Sequence, residues 1–343
     1  MNKYFYNKKL VELRDKYELS HKELCRLAIC SENYMTIYLR NKRELTEDKY
    51  NLYKERIMDK VKKHNTKPFI CSVGVFKGGV GKTSTVSNLA AEFGRRGNFC
   101  LVIDADSQAD LSSSLIDMPS MLDKIEKNNF FNLLTSKEEN EENIKDSIIH
   151  TDFANVDLLP SCISDESLSI ERILAVSEHP ERRLKYILDV IKKTKKYDYI
   201  FIDCNNQLGL LAGVIWECSD YLYSLCEPNY FNLKGCKIIY DKYKKVHKYS
   251  DNLEYLGIIM NKFRINTEVG QISYEQIKEE FSDLCFDSYI RTDEAINKAI
   301  FTIQPLMYFS KNNKAIEDYR HVASEMIERI NKIEKQKEKR KER

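Results

Sequence analysis

No two of the ten cysteines stand in a C-x-x-C pair, so neither a disulfide framework nor a zinc-binding pair is signalled, and a reducing compartment is expected. No apolar run approaches the roughly 20 residues that a membrane-spanning helix needs. The opening segment MNKYFYNKKLVELRDKYEL does not read as a secretory leader either, because charge interrupts it throughout. A membrane-inserted protein is therefore not expected. Residues 1–63 contain no glycine and no proline, which leaves that stretch without the usual breakers of helix. Strong net charge is lacking too, at +2 overall, but this balance hides a gradient: residues 1–66 carry 16 Lys/Arg against 10 Asp/Glu. A basic head on a mildly acidic body is a weak pointer to nucleic acid.

At 343 residues, 42% apolar and 31% charged, the chain can build one large core, or a core with a small satellite domain. In the N-terminal stretch apolar residues recur at helical spacing: Leu10, Leu13 and Tyr17, then Leu24, Leu27 and Ala28, then Tyr34, Met35, Tyr38 and Leu39. This predicts a small all-helical unit over residues 1–66. TKPF at 66–69 then stops helix, and a different pattern begins. Strand-like runs (FICSVGV, FCLVIDA, VDLLPS, YDYIFIDC, YLYSLCE, LEYLGIIMNKF, LCFDSYI) alternate with amphipathic helical stretches over residues 67–331. That alternation predicts an α/β domain with a mostly parallel twisted sheet and helices on both faces. The segment from Lys124 to Ser147 is the least regular, and SKEENEENIKDS within it reads as an exposed loop or frayed helix. Residues 332–343 form a charged basic tail, with seven Lys/Arg among the twelve.

The run VGVFKGGVGKTSTVSNLAAEF, residues 73–93, carries the chemistry. It leads from a strand through glycines into a helix, the context of a phosphate-binding P-loop: glycines let backbone N–H groups close around phosphate oxygens, and the helix N-terminus adds its positive dipole. Gly78, Gly79, Val80, Gly81, Lys82, Thr83 and Ser84 are thus the candidate nucleotide-binding residues, with Lys82 reaching the β- and γ-phosphates and the Thr83 hydroxyl on Mg²⁺. Phe76 holds the place of the motif's first glycine, and Lys77 supplies a second lysine that an ordinary P-loop does not need. Further on, VIDADSQAD and YIFIDCNNQLG bring Asp104, Asp106 and Asp203 to the carboxyl edge of the sheet, where ligands bind in open α/β folds. Carboxylates there can hold the metal and orient an attacking water; Asp110 reads as a helix cap.

The K-G-G-V-G-K-T loop, the D-A-D-S-Q-A-D segment and the I-D-C-x-x-x-L-G segment together resemble the deviant-Walker ATPases of the ParA/MinD group, over roughly residues 68–330. The resemblance implies a P-loop NTPase fold, ATP/ADP and Mg²⁺ as ligands, and hydrolysis of ATP that is weak alone and stimulated by partner and DNA. It implies that Lys77 reaches across an ATP-sandwich homodimer to the partner's phosphates, that Lys82 acts in cis, and that Asp106 positions the water. Asp104 and Asp203 are implied in Mg²⁺ roles, and Asn261 is placed with the nucleotide. Ser107 stands where the family has proline, and Asn205-Asn206 replace its usual proline pair.

Within the group, the tail after Lys332 has Ile333 as its only large apolar residue, which argues against an amphipathic membrane anchor. The stretch LSHKELCRLAICSENYMTIYLRNKR resembles the helix-turn-helix of the Cro/repressor class, with Ser20 as N-cap, the turn at Cys30-Ser31, Ile29 in place of the turn glycine, and Met35 and Tyr38 facing the core. In that reading Glu32, Asn33, Thr36 and Arg40 face the major groove, and Lys42 and Arg43 sit near phosphates. A dimerising helical hairpin is the alternative for this unit. For non-specific DNA the family uses basic residues late in the chain, which points here to Arg291 and Lys298, although Glu294 stands near where a further arginine is expected. A helix-turn-helix ahead of a deviant-Walker ATPase is the layout of the longer plasmid-partition ParA proteins. It implies a cytoplasmic, nucleoid-associated protein with a ParB-like centromere-binding partner. The competing readings are a nucleotide-gated transcription regulator and a positioning ATPase for a non-DNA cargo.

Overall fold

The computed structural model describes residues 4–341 except 17–23, 26–27, 29–30, 64–66, 195, 205–207, 229, 251 and 265; for 16, 32, 56, 58–63, 230–233 and 341 the backbone alone is described. The chain divides into two compact units, Met1–Lys67 and Pro68–Arg343.

The first unit contains helices α1 (Phe5–Lys16), α2 (Glu32–Leu39) and α3 (Glu47–Lys63). Its core gathers Leu10, Leu24, Ala28, Met35, Tyr38 and Ile57, all buried. Helix α2 opens on Ser31, whose hydroxyl accepts the N–H of Tyr34, as N-caps do. Asn7 on α1 is 1% exposed and staples the end of α2 and the chain that follows it. Its amide donates to the carbonyls of Tyr38 at 2.7 Å and Arg43 at 2.8 Å, and its oxygen accepts from Leu45 N–H at 2.8 Å. The expected N-cap Ser20 and the turn residues Ile29 and Cys30 lie outside the described residues.

The second unit is built on eight strands: β1 (Phe69–Gly74), β2 (Cys100–Ala105), β3 (Ile149–His150), β4 (Val156–Leu159), β5 (Tyr199–Cys204), β6 (Tyr221–Cys226), β7 (Glu254–Phe263) and β8 (Cys285–Arg291). Their order is β3-β4-β2-β5-β1-β6-β7-β8. Every neighbouring pair is parallel except β3 with β4. All six residues of β2, of β5 and of β6 are buried. Side chains alternate between faces, so this burial requires cover on both. The cover comes from helices, among them α4 (Lys82–Arg95), α7 (Leu210–Glu217), α8 (Tyr230–His247) and α10 (Lys314–Lys341); the same unit holds α5 (Asp110–Leu115), α6 (Asp165–Ala175) and α9 (Glu294–Phe301).

Three features add detail to the expectations. The two-residue antiparallel β3 has too short a pattern to register in sequence. SKEENEENIKDS, expected as an exposed loop or frayed helix, contains the helix Glu141–Asp146, capped by the Asn140 side chain and anchored by buried Ile144. The charged tail expected from residue 332 continues α10, which runs unbroken to Lys341 within the second unit.

Candidate nucleotide site

Strand β1 delivers the chain to the middle of the sheet, where β5 and β6 flank it. The connection Phe76–Gly81 then turns into α4. Gly79 and Gly81 have φ of 80° and 79°, the left-handed region that side chains with a Cβ avoid. Gly81 is the N-cap of α4 and offers no side-chain cap, so the first-turn N–H groups are left to a ligand, the arrangement an anion needs. The loop is held from β7. Asn261, 3% exposed, donates to the carbonyl of Val80 at 2.7 Å and to Thr85 Oγ1 at 3.3 Å. Lys262 Nζ donates to the carbonyl of Gly79. A Cβ on Gly81 would lie 2.5 Å from Asn261 Nδ2, so the glycine also makes room for the clamp.

The two lysines of the loop have different surroundings. Lys82 is 5% exposed; its Nζ lies 2.6 Å from Asp203 Oδ1 and 3.3 Å from Asp106 Oδ2. Burial alone would lower its pKa, but Asp203 and then Asp106 outweigh burial and hold it above the ordinary lysine value. Burial pushes Asp203 upward, opposed by Lys82 and by the Thr83 hydroxyl, which donates to Asp203 Oδ2 at 2.9 Å. The two shifts oppose each other within one buried pair; the 2.6 Å contact and the Thr83 bond favour its ionised form. Lys77, in contrast, is exposed on the loop. Phe76 packs against α8, where Gly235 admits it: a Cβ there would lie 2.7 Å from Phe76 Cβ.

Asp104 and Asp203 are register partners on β2 and β5, so the sheet itself sets them side by side. Asp104 is fully buried, and both its oxygens are engaged: Oδ2 accepts from Ser112 N–H at 2.8 Å and Ser112 Oγ at 2.7 Å, and Oδ1 from Asp106 N–H at 3.1 Å. Burial and then Asp203 push its carboxyl up to about 7, against the pull of these bonds. Asp104 thus braces the 104–112 turn from below, whereas Asp106 is the carboxylate set at the turn. Ser161 extends the brace, its hydroxyl donating to the carbonyl of Asp106 at 2.7 Å and its N–H to Ser112 Oγ at 2.9 Å.

Beside the loop lies a cavity of about 610 Å³ lined by Gly81, Ser84 and Asn261 together with Glu227, Pro228, Lys262, Arg264 and Asp293. Of these last five, Lys262 lies near the end of β7 and the others follow β6, β7 and β8; the sequence reading missed all five. The rule that ligands sit at strand carboxyl ends could have found them. Arg291 also lines this cavity. Its guanidinium makes a bidentate pair with Asp318 of α10, 2.6 Å at each nitrogen, and the side chain stays about one third exposed. Lys298 is exposed and lies 3.2 Å from Glu294 one turn back on α9. In the first unit Asn33, Arg40, Lys42 and Arg43 are exposed and Thr36 half-buried; the Glu32 side chain lies outside the described residues, as do Asn205 and Asn206.

Comparison with known proteins agrees with this geometry. The AAA domain family model matches residues 69–255. The sporulation initiation inhibitor protein Soj of Bacillus subtilis is 28% identical over 73% of this chain and 94% of its own length. A solved putative plasmid partition protein of Borrelia burgdorferi, bound to AMPPNP, is 25% identical, with a TM-score of 0.61 over 76% of this chain and 99% of that one. The cell division ATPase MinD of Pyrococcus furiosus is likewise 25% identical, with a TM-score of 0.60 over 76% and 98%. Among the described residues no helix is long and apolar enough to cross a membrane. The chain belongs to the ParA/MinD family of P-loop ATPases.

Proposed function

We propose that this protein is a DNA-segregation ATPase of the plasmid-partition type. It binds MgATP at the glycine loop, closes into an ATP-sandwich homodimer and binds DNA of any sequence in that state. A ParB-like partner then stimulates hydrolysis. The carrying observation is the pair of lysines on one loop, Lys82 buried against Asp203 and Asp106 while Lys77 is exposed. A single subunit's phosphates need the first; the second is suited to reach a partner's.

The residues fit the ligands. Gly79 and Gly81 free the loop's N–H groups for phosphate, and Lys82 exchanges its carboxylate partners for the β- and γ-phosphates. Thr83 and Asp203, already joined by a hydrogen bond, would hold Mg²⁺, which supplies charge neutralisation of the phosphates when bound. Asp106 orients the attacking water. Asp104 keeps the Asp106 turn in place through Ser112 and supports the metal site from β2. The cavity past Asn261 takes the nucleoside. In the N-terminal unit, α2 presents Asn33 and Thr36 with Arg40, Lys42 and Arg43 beyond, and the Asn7 staple fixes the chain carrying those cations. We assign this unit to binding the protein's own operator, with Glu32 as a further candidate contact, and we assign Lys298 to non-specific DNA. Such a protein works in the cytoplasm on the nucleoid.

Ser107 and Asn205-Asn206, which stand in place of family prolines, favour a second reading: a nucleotide-gated transcription regulator without a segregation role. ATP turnover measured with and without non-specific DNA, and with the partner added, separates the two. Segregation predicts stimulation. Turnover that neither DNA nor partner raises supports the regulator, and loss of non-specific DNA retention in ATP supports a positioning role for another cargo.

A further inference from the structure

Strand β5 ends in Asp203 and Cys204, both buried, and Cys204 Sγ lies 3.0 Å from the carbonyl of Val73. Six residues after Cys204 the chain enters α7 at Leu210. The intervening Asn-Asn-Gln-Leu-Gly has no proline and one glycine. Two charged side chains from different helices grip its downstream end. Glu171 of α6 accepts the N–H groups of Leu210 at 2.7 Å and Leu211 at 3.3 Å, filling the donors that open α7. The glycine is needed for this approach, since a Cβ on Gly209 would lie 2.3 Å from Glu171 Oε1. From the other side Lys242 of α8 donates to the carbonyls of Leu208 and, at 3.0 Å, Gly209. Its ammonium lies 5.2 Å from the centre of the Trp216 ring. Burial lowers its pKa, and among the described residues it makes no ion pair with a carboxylate. A half-buried cation committed to two backbone carbonyls restrains chain geometry at the cost of its own solvation.

The segment leading into α6 touches the other carboxylate loop as well. Ser161 bonds the carbonyl of Asp106 and the hydroxyl of Ser112. The stretch from Ser161 to Glu171 therefore bridges the Asp106 turn and the exit of the Asp203 loop.

We propose that Glu171 and Lys242 are positioning residues for hydrolysis: from either side they clamp the exit of the Asp203 loop, supplying the restraint that a proline pair at 205–206 would otherwise provide. This rests on the ATPase reading above. The clamp leaves nucleotide contacts untouched and acts on the geometry of the loop beside the reacting phosphate.

The test compares Lys242→Met, Lys242→Arg and Glu171→Ala in two backgrounds, the natural chain and Asn205→Pro/Asn206→Pro. Single-turnover hydrolysis and MgATP affinity are measured in each. In the natural background Lys242→Met and Glu171→Ala should slow hydrolysis by about 10- to 100-fold, the scale of a small misplacement, with MgATP affinity unchanged and Lys242→Arg partly restoring the rate. In the proline background the same substitutions should cost less than about threefold. Equal losses in both backgrounds, as a general folding defect would give, overturn the proposal, and so does full activity of Lys242→Met in the natural background. Turnover of the unmodified chain is established first against Lys82→Ala. If the unmodified chain hydrolyses nothing, the ATPase reading fails, and amide hydrogen exchange decides the clamp. Faster exchange at Leu210 and Leu211 in Glu171→Ala, with β5 unchanged, supports it; unchanged exchange there overturns it.

Discussion

Gly81→Ala places a methyl group where two separate costs can be counted. The residue sits at φ 79° and ψ 31°, and an L side chain in that region costs about 1–2 kcal/mol. The new Cβ would also lie 2.5 Å from Asn261 Nδ2, so Asn261 must release the carbonyl of Val80, a further loss of about 1 kcal/mol. Together these reach about 2–3 kcal/mol, a rise of roughly 30- to 150-fold in the dissociation constant for MgATP if the strain falls on the bound loop. Gly79 is the internal control. Its φ of 80° is equivalent, but nothing lies within 4 Å of the added Cβ. Gly79→Ala should therefore carry the backbone term alone, roughly 5- to 30-fold. The assay is equilibrium binding of a fluorescent ATP analogue with Mg²⁺, alongside urea unfolding to separate loop strain from global stability. The Gly81 variant should bind about fivefold more weakly than the Gly79 variant. Equal affinities for the two, or native affinity for Gly81→Ala, would refute the clamp by Asn261.

Other outcomes follow from the same contacts. Asp157, 1% exposed, bonds Tyr197 at 2.8 Å, His150 Nδ1 at 2.7 Å and Lys196 at 2.8 Å. Burial opposes its charge, but His150 and Lys196 outweigh burial and hold its carboxyl well below the usual range. Its stabilisation is therefore present above the unfolded value of about 3.9 and lost as pH falls through the depressed folded value. Asp157→Asn should cost about 3 kcal/mol at neutral pH and show a flatter stability curve below pH ~4, both read by urea unfolding; an unchanged acid limb would count against this. Gly235→Ala, by displacing Phe76 beside Lys77, should weaken ATP-dependent dimerisation in sedimentation runs more than ATP binding, and Phe76→Ala should relieve it. Removing residues 1–67 should abolish operator binding in a mobility-shift assay and leave ATP-dependent retention of arbitrary DNA; operator binding that survives would refute the role given to the N-terminal unit.

What could be read in advance depended on how locally each feature is encoded. The glycine loop, both its lysines and the strand-end aspartates were legible because a strand, a turn and a helix N-terminus follow one another within a few residues. The sheet was legible because continuous apolar runs have few alternatives. Contacts between distant segments were not. Asn261 was placed with the nucleotide, but its grip on Val80 spans 181 residues, and Glu171 reaches α7 across 39. The partner of Arg291, Asp318, lies 27 residues further along. The stretch holding Glu141–Asp146 was legible only as a loop or frayed helix, because its charged sequence has one buried apolar anchor, Ile144.

The central claim is that Lys77 serves the nucleotide of a second subunit. Sedimentation of the unmodified chain and of Lys77→Ala, each with MgATP and with MgADP, tests it most directly. The account predicts that the unmodified chain dimerises only with ATP, and that Lys77→Ala binds ATP with native affinity yet stays monomeric. Dimerisation of Lys77→Ala equal to that of the unmodified chain, or no ATP-dependent dimer of either, would contradict it.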